Sequence, residues 1–335
     1  MRIIVDAFGG DNAPLEIIRG AAQAAAEYDI GIILTGSESI IRKVAAEDGI
    51  DLNGISIVDA PDVIAMEDEP RSILKEHKDC SMAEGLRRLA AGEGDAFVSA
   101  GSTGALIMGG TFIVKRIKGI SRAALAVLMP GDKGPFMLLD VGANADSRPE
   151  MLLQFAHMGS IYMTSIMGGG KPVTVGLVNV GTEDTKGGEL QHAAFALIKE
   201  SGLNFVGNIE ARDIPLGVVD VAVADGFTGN VILKLTEGVA DTLLKNIKSI
   251  FLTNTITKLA ALLIKPYLKG LKKKMDTSEY GGAPLLGLGK PVIKTHGNAK
   301  AVAVKNAIRV AAEFAGKGVI EQISQAVKPT PEAGE

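Results

Sequence analysis

The stretch AFVSAGSTGALIMGG, residues 96–110, reads as a short apolar β-strand, a turn rich in glycine and hydroxyl groups, and an apolar helix entered without a linker. Glycine gives the turn its backbone freedom, and Ser99, Ser102 and Thr103 fall where the unpaired N–H groups of a helix start collect. The same order recurs along the chain. β-rich runs at residues 2–6, 31–34, 56–58, 96–99, 124–129, 136–141, 173–178 and 218–223 alternate with helical patterns at 14–27, 82–91, 103–114, 149–166 and 188–200. That alternation specifies an α/β protein. Several runs are apolar on both sides, which predicts strands covered by helices on each face of a mostly parallel sheet, with sites at their carboxyl ends. No fixed-period repeat and no compositional break divides the chain. The reading is one catalytic α/β unit over residues 1–327 and a disordered polar tail at 328–335.

The 335 residues include 47% hydrophobic and 22% charged side chains, enough apolar material for a sizeable core and too little charge for disorder. The longest apolar run in a helical pattern, residues 259–264, is far short of a membrane span. The amino terminus enters a β-like segment with no signal-peptide order, and the single cysteine, Cys80, excludes an intrachain disulfide or a cysteine zinc cluster. These features predict a cytoplasmic protein. A net charge of −4 argues against a nucleic-acid partner. Residues 245–275, however, carry eight lysines and no acid, so 27 basic residues face 39 acidic ones in the remainder. In a helix, Ile256, Leu259, Leu263, Tyr267 and Leu271 share one arc and Lys258, Lys265, Lys269 and Lys272 the opposite one. Such a segment packs on its own core or a twin subunit, lies on a membrane surface, or docks an acidic protein; Leu259, Leu263, Lys269, Lys272 and Lys273 are its candidate contacts.

The 99–105 turn lacks the lysine of a P-loop, so inorganic phosphate or a phosphate ester suits Ser99, Gly101, Ser102, Thr103 and Gly104 better than a nucleoside triphosphate. The alternative is a structural strand-to-helix turn with serine as cap. Similar turns follow other strands: VDAFGGDNAP at 5–14, DVGAN at 140–144, NVGTEDTKG at 179–187 and DGFTGN at 225–230. Asp6 and Asp11 in the first are ligands or caps, and no dinucleotide fingerprint is present there. The last three bring Asn144, Thr182, Lys186, Asp225 and Asn230 to strand ends expected to share one crevice. Lys186 is either a solvated surface lysine or a cation for phosphate or an oxyanion, to which the Asn230 amide could also donate. Cys80 and His77 are close enough for a thiolate pair, but a small, partly buried thiol beside a surface histidine is the better explanation. His157, His192 and His296 are isolated, and no spacing suggests a metal or other cofactor.

Taken in order, these motifs, with FIVKRIKGISRAALA at 112–126, LLDVGANAD at 138–146, LLQFAHMGSIY at 152–162, GLVNVGTEDTKGGEL at 176–190, FVGNIEARDI at 205–214, VADGFTGNVILK at 223–234 and SEYGGAPLLGLGKPVIKTHGNA at 278–299, resemble the bacterial acyl-carrier-protein:phosphate acyltransferases, the PlsX family. Phe8 stands where that family commonly has Met, and Cys80 where it has Ser. The resemblance implies a three-layer α/β/α sandwich related to phosphotransacetylases and the isocitrate-dehydrogenase-like fold, a homodimer, and peripheral membrane association in phospholipid synthesis. It implies transfer of a long acyl chain from acyl carrier protein to inorganic phosphate, with Lys186 and Asn230 as the catalytic positions. A decarboxylating NAD-dependent dehydrogenase of related fold, or a non-catalytic membrane-surface scaffold, are the alternative readings. The first would need a metal-binding carboxylate cluster that the sequence does not display, and the second has no use for so many glycine-rich strand ends.

Overall fold

Side chains that alternate along a strand point to opposite faces, so a strand buried on both must be apolar at every position. The computed structural model shows this directly in the strand β1 (Arg2–Asp6), where Ile3 and Val5 enter one core and Ile4 the other. The structure describes residues 1–168, 171–275 and 280–327, without the side chains of Lys269 and residues 271–275. The expectation of a disordered tail at 328–335 and the proposed contacts of Lys269, Lys272 and Lys273 therefore lie outside the described residues.

The other strands are β2 (Gly31–Gly36), β3 (Ile55–Asp59), β4 (Ala96–Ser99), β5 (Ala124–Met129), β6 (Phe136–Leu139), β7 (Val175–Asn179), β8 (Phe205–Glu210), β9 (Val221–Val223), β10 (Ala283–Leu286) and β11 (Val292–Lys294). They form one sheet in the order β3-β2-β1-β4-β11-β10-β5-β6-β9-β7-β8. Helices α1 (Leu15–Tyr28), α2 (Glu38–Glu47), α5 (Pro149–Met167), α6 (Glu189–Lys199), α9 (Ala301–Gly316) and α10 (Val319–Ala326) contribute to the core on one face. Helices α3 (Ser81–Ala90), α4 (Thr103–Gly109) and the start of α7 (Gly226–Phe251) contribute to the other. The expected three-layer sandwich with a mostly parallel sheet is what the chain forms.

Three antiparallel pairings at its centre, β11 with β10, β10 with β5, and β5 with β6, reverse the sense of the sheet. The strands β3, β2, β1, β4 and β11 run one way and β6, β9, β7 and β8 the other. The three turns expected to share a crevice, after β6, β7 and β9, do lie on one edge, but the sheet has two carboxyl edges. The turn after β4 belongs to one group of strand ends and those after β6, β7 and β9 to another. Twist reduces the separation: at roughly 20–25° per strand, the steps from β4 to β9 turn the two groups toward each other by about 100°.

α7 and the next helix, α8 (Thr255–Met275), pack on each other as a hairpin, with α7 also seated on β6. Ile256, Leu259, Leu263 and Tyr267 form the exposed outer face of α8, with Leu259 61% and Leu263 78% accessible, so the stripe does not pack on its own core. Pro266 lies inside α8. Among the described residues no helix is long and apolar enough to cross a membrane.

At the centre of the first half, Phe97 is fully buried and its ring fills the space beside Gly85, where an added Cβ would come within 2.3 Å. Phe97→Ala is expected to cost about 3–5 kcal/mol, read as a lower urea midpoint. Leu263→Ala on the exposed stripe should change the stability of the isolated chain by less than about 0.5 kcal/mol.

Candidate active site

In the first half, β1, β4 and β11 are parallel neighbours, so their carboxyl ends lie side by side. Asp6, at the end of β1, is buried and accepts hydrogen bonds from Ser81 Oγ (2.6 Å), Ser99 Oγ (2.7 Å) and the Phe8 amide (3.2 Å). Burial nevertheless pushes its carboxyl above the ordinary aspartate range, against the lowering effect of those donors. Ser99 Oγ in turn accepts from the Gly101 amide at 3.0 Å. Both groups had been expected to face phosphate, but each is committed inside the turn. Ser102 caps α4 by accepting from the Ala105 amide at 3.4 Å. What the turn still offers an anion is the partly exposed Thr103–Gly104 segment, roofed by Pro70 of the 3-10 turn Pro70–Leu74. Asp11 is exposed at the rim, its carboxylate facing Gly297, and its amide donates to the Gly297 carbonyl at 2.7 Å.

The third strand end here, KTHGNA at residues 294–299, was not singled out from sequence, although it too is a glycine-containing polar turn after an apolar run. Lys294 is buried beneath the 99–104 turn, donating from Nζ to the carbonyls of Ala100 (3.2 Å) and Thr295. Burial lowers its pKa to about 8, partly opposed by the negative charges of Asp6 and Asp11, and Lys234 on α7 adds to the lowering.

In the second half, β6, β9 and β7 are parallel neighbours and align their own three turns. Asp140, buried just beyond β6, accepts from the amides of Leu125, Ala143 and Asn144 and from Asn144 Nδ2. Its pKa is raised by burial, again against its donors. Asn144 spends its other amide hydrogen on the Ala123 carbonyl at 2.8 Å. Asp225 caps α7, accepting from the amide and hydroxyl of Thr228. Asn144 and Asp225, expected as site-lining groups, thus hold the turns in shape. Thr182 and Lys186 are exposed on the turn after β7, with Lys186 Nζ 3.9 Å from Glu183. The exposed Asn230 lies over Gly142 on the first turn of α7, and no hydrogen bond engages its amide among the described residues. Lys186, weakly paired with Glu183, and Asn230, without a hydrogen-bond partner among the described residues, thus stand exposed on the turns of adjacent strands.

The thiol of Cys80 is buried, accepts from the Ala83 amide as the cap of α3, and is pushed up to about 11, while His77 pairs with Asp62 and Asp68. This is the structural arrangement and not a nucleophile with its base. Among the described residues no group of His, Cys, Asp and Glu is arranged to hold a metal ion.

Residues 1–322 match the family profile described as fatty acid synthesis protein. A protein of Alkaliphilus oremlandii named phosphate acyltransferase is 47% identical over 327 residues, covering 98% of this chain and 97% of its own. One of Clostridium acetobutylicum with the same name is 47% identical over 326 residues, covering 97% and 98%. Among solved structures, a phosphotransacetylase from Streptococcus pyogenes superposes with a TM-score of 0.64 at 16% identity, covering 96% of this chain and 94% of its own. The EutD phosphotransacetylase from Staphylococcus aureus does so at 0.62 and 16%, covering 94% of each. At that identity the likeness speaks for the fold.

Asn230 owes its position to Gly229, where an added Cβ would sit 1.9 Å from the Asp140 carbonyl oxygen. Gly229→Ala should push the start of α7 off the 140–144 turn. Hydrogen exchange would then show lost protection at the Ala143 and Asn144 amides while the β1–β4 ladder keeps its own.

Proposed function

The chain belongs to the fatty acid synthesis protein family, and from that premise we propose that it is a phosphate acyltransferase moving a long-chain acyl group from the thioester of acyl carrier protein to inorganic phosphate, giving acyl phosphate for phospholipid synthesis. The observation that carries the reading is the pairing of Lys186 and Asn230. On the turns of two adjacent strands a cation and an amide stand at the surface, Lys186 3.9 Å from Glu183 and Asn230 without a hydrogen-bond partner among the described residues.

Phosphate at neutral pH is already an anionic nucleophile, so the site needs no triad to generate one. It must hold the anion and tolerate more negative charge. As a phosphate oxygen bonds to the thioester carbon, the carbonyl electron pair moves onto oxygen. It returns as the C–S bond breaks, and the carrier's sulfur departs as thiolate and takes a proton from solvent. Lys186 and the Asn230 amide, beside the positive end of the α7 dipole, stabilise that oxyanion. The nucleophile rests at the Thr103–Gly104 segment of the opposing turn. No cofactor enters this scheme.

The α7–α8 hairpin supplies the partner surface in this reading. Its exposed leucines would meet a bilayer or a second copy in a homodimer, and its lysines the acidic carrier protein or anionic lipid, keeping a cytoplasmic enzyme at the membrane periphery.

Lys186→Ala should fold normally and lose roughly 100-fold or more in acyl phosphate formation, measured with palmitoyl carrier protein and phosphate and trapped as hydroxamate. Unchanged turnover would remove Lys186 from the mechanism, and no phosphate-dependent thioester loss in the wild type would favour the scaffold reading. The double change Leu259→Glu and Leu263→Glu should abolish flotation with anionic liposomes while soluble turnover persists. Conversion to an inactive monomer would instead assign the stripe to the dimer.

A further inference from the structure

A buried ammonium is costly unless something compensates its charge. Lys294 is 7% exposed, and among the described residues no carboxylate is in ion-pair contact with it. Its compensation is two backbone carbonyls, one of them Ala100 in the turn above. Asp6 spends its acceptors on Ser81, Ser99 and Phe8. The charged groups that bear on Lys294 are Asp6 from β1, Asp11 from the following turn and Lys234 from α7, with His296 two residues along its own strand end. The ammonium, held by two neutral carbonyls and by no carboxylate among the described residues, lies under the turn that still presents Thr103 and Gly104. We propose that Lys294 is a further phosphate-positioning residue, supplying from beneath the 99–104 turn the positive charge that holds the anionic nucleophile for attack. This rests on the reading of that turn as the phosphate seat.

Geometry makes the proposal testable through proton linkage. An anion above Lys294 favours its charged form, so binding should take up a proton where the free protein has lost it. Affinity should therefore fall as pH rises through about 8. Calorimetric titration of the full chain with inorganic phosphate, and in parallel with sulfate, whose charge is constant over this range, reads that dependence directly. The wild type is expected to bind both less tightly above that pH. Lys294→Met should weaken binding roughly 10- to 100-fold at lower pH, the scale of a lost charge-assisted contact, and flatten the pH dependence. Lys294→Arg, which keeps its proton, should restore affinity and stay flat. In turnover, Lys294→Met should raise the KM for phosphate far more than it lowers kcat.

A folded Lys294→Met variant that binds phosphate like the wild type overturns the proposal, as does wild-type binding indifferent to pH across that range. Should the methionine variant not fold, an arginine variant that still shows the wild-type pH dependence overturns it as well. Lys294-dependent phosphate binding by a wild type that never forms acyl phosphate would instead overturn the acyltransferase reading and leave the anion role standing.

Discussion

A carboxylate sealed at the end of a central strand has no water to satisfy it, and its unmet acceptors would cost several kcal/mol, so the chain around it must supply donors. Both halves of this protein are organised round that demand. Asp6 draws in the hydroxyls of Ser81 and Ser99 and the Phe8 amide, which fixes the start of α3 and the turn after β4 against β1. Asp140 draws in three backbone amides and the Asn144 side chain, which closes the turn after β6 and sets the surface on which Gly226 and Gly229 of α7 rest. Two buried acids thus shape the turns that carry Thr103 and lie under Asn230, while the Asn179 and Asn208 amides, donating to the Lys186 and Glu183 carbonyls, hold the turn that carries Lys186.

Much of this was legible in the residues. The strands at 2–6, 96–99 and 124–129 were read to their limits, because apolar runs bounded by glycine-rich turns leave few alternatives. The run expected to reach residue 141 stops at Leu139 because Asp140 leaves the ladder to take its donors. The pattern at 103–114 divides at Gly109 and Gly110, where α4 passes into one π-helical turn. Strand direction was the real loss. An apolar run has no arrow, so nothing in it showed that the turn after β4 and the turns after β6, β7 and β9 close opposite edges of the sheet. The hairpin signal PGDKGP at 130–135, between β5 and β6, was the clue to reversal. Asp225 and Asn144 misled because a polar residue at a strand end looks the same whether it serves a ligand or the backbone. Lys294 went unnoticed because a lysine at the end of an apolar strand reads as a solvated terminus, and only tertiary packing buries it.

The charge distribution separates two tasks along α7. Its first turns belong to the site, where Asp225, Gly229 and Asn230 are held against the 140–144 turn. Its later turns leave the body and, with α8, carry the exposed apolar stripe and the lysine-rich segment. One continuous helix therefore joins the turn beneath Asn230 to the exposed hairpin, and whatever tilts the hairpin also loads that turn.

The placement of β11 between β4 and β10 bears on how the chain comes into being. Ala100 and Lys294, hydrogen-bonded in the finished protein, are 194 positions apart in the chain. A ribosome adding about 5–20 residues per second needs on the order of 10–40 s to deliver the second after the first. Throughout that interval the nascent first half carries β4 with one side of its backbone unpaired, an invitation to intermolecular pairing. A chaperone that shields this edge, or a rapid stretch of translation across the middle of the message, would shorten the exposure and raise the yield of folded protein without touching final stability.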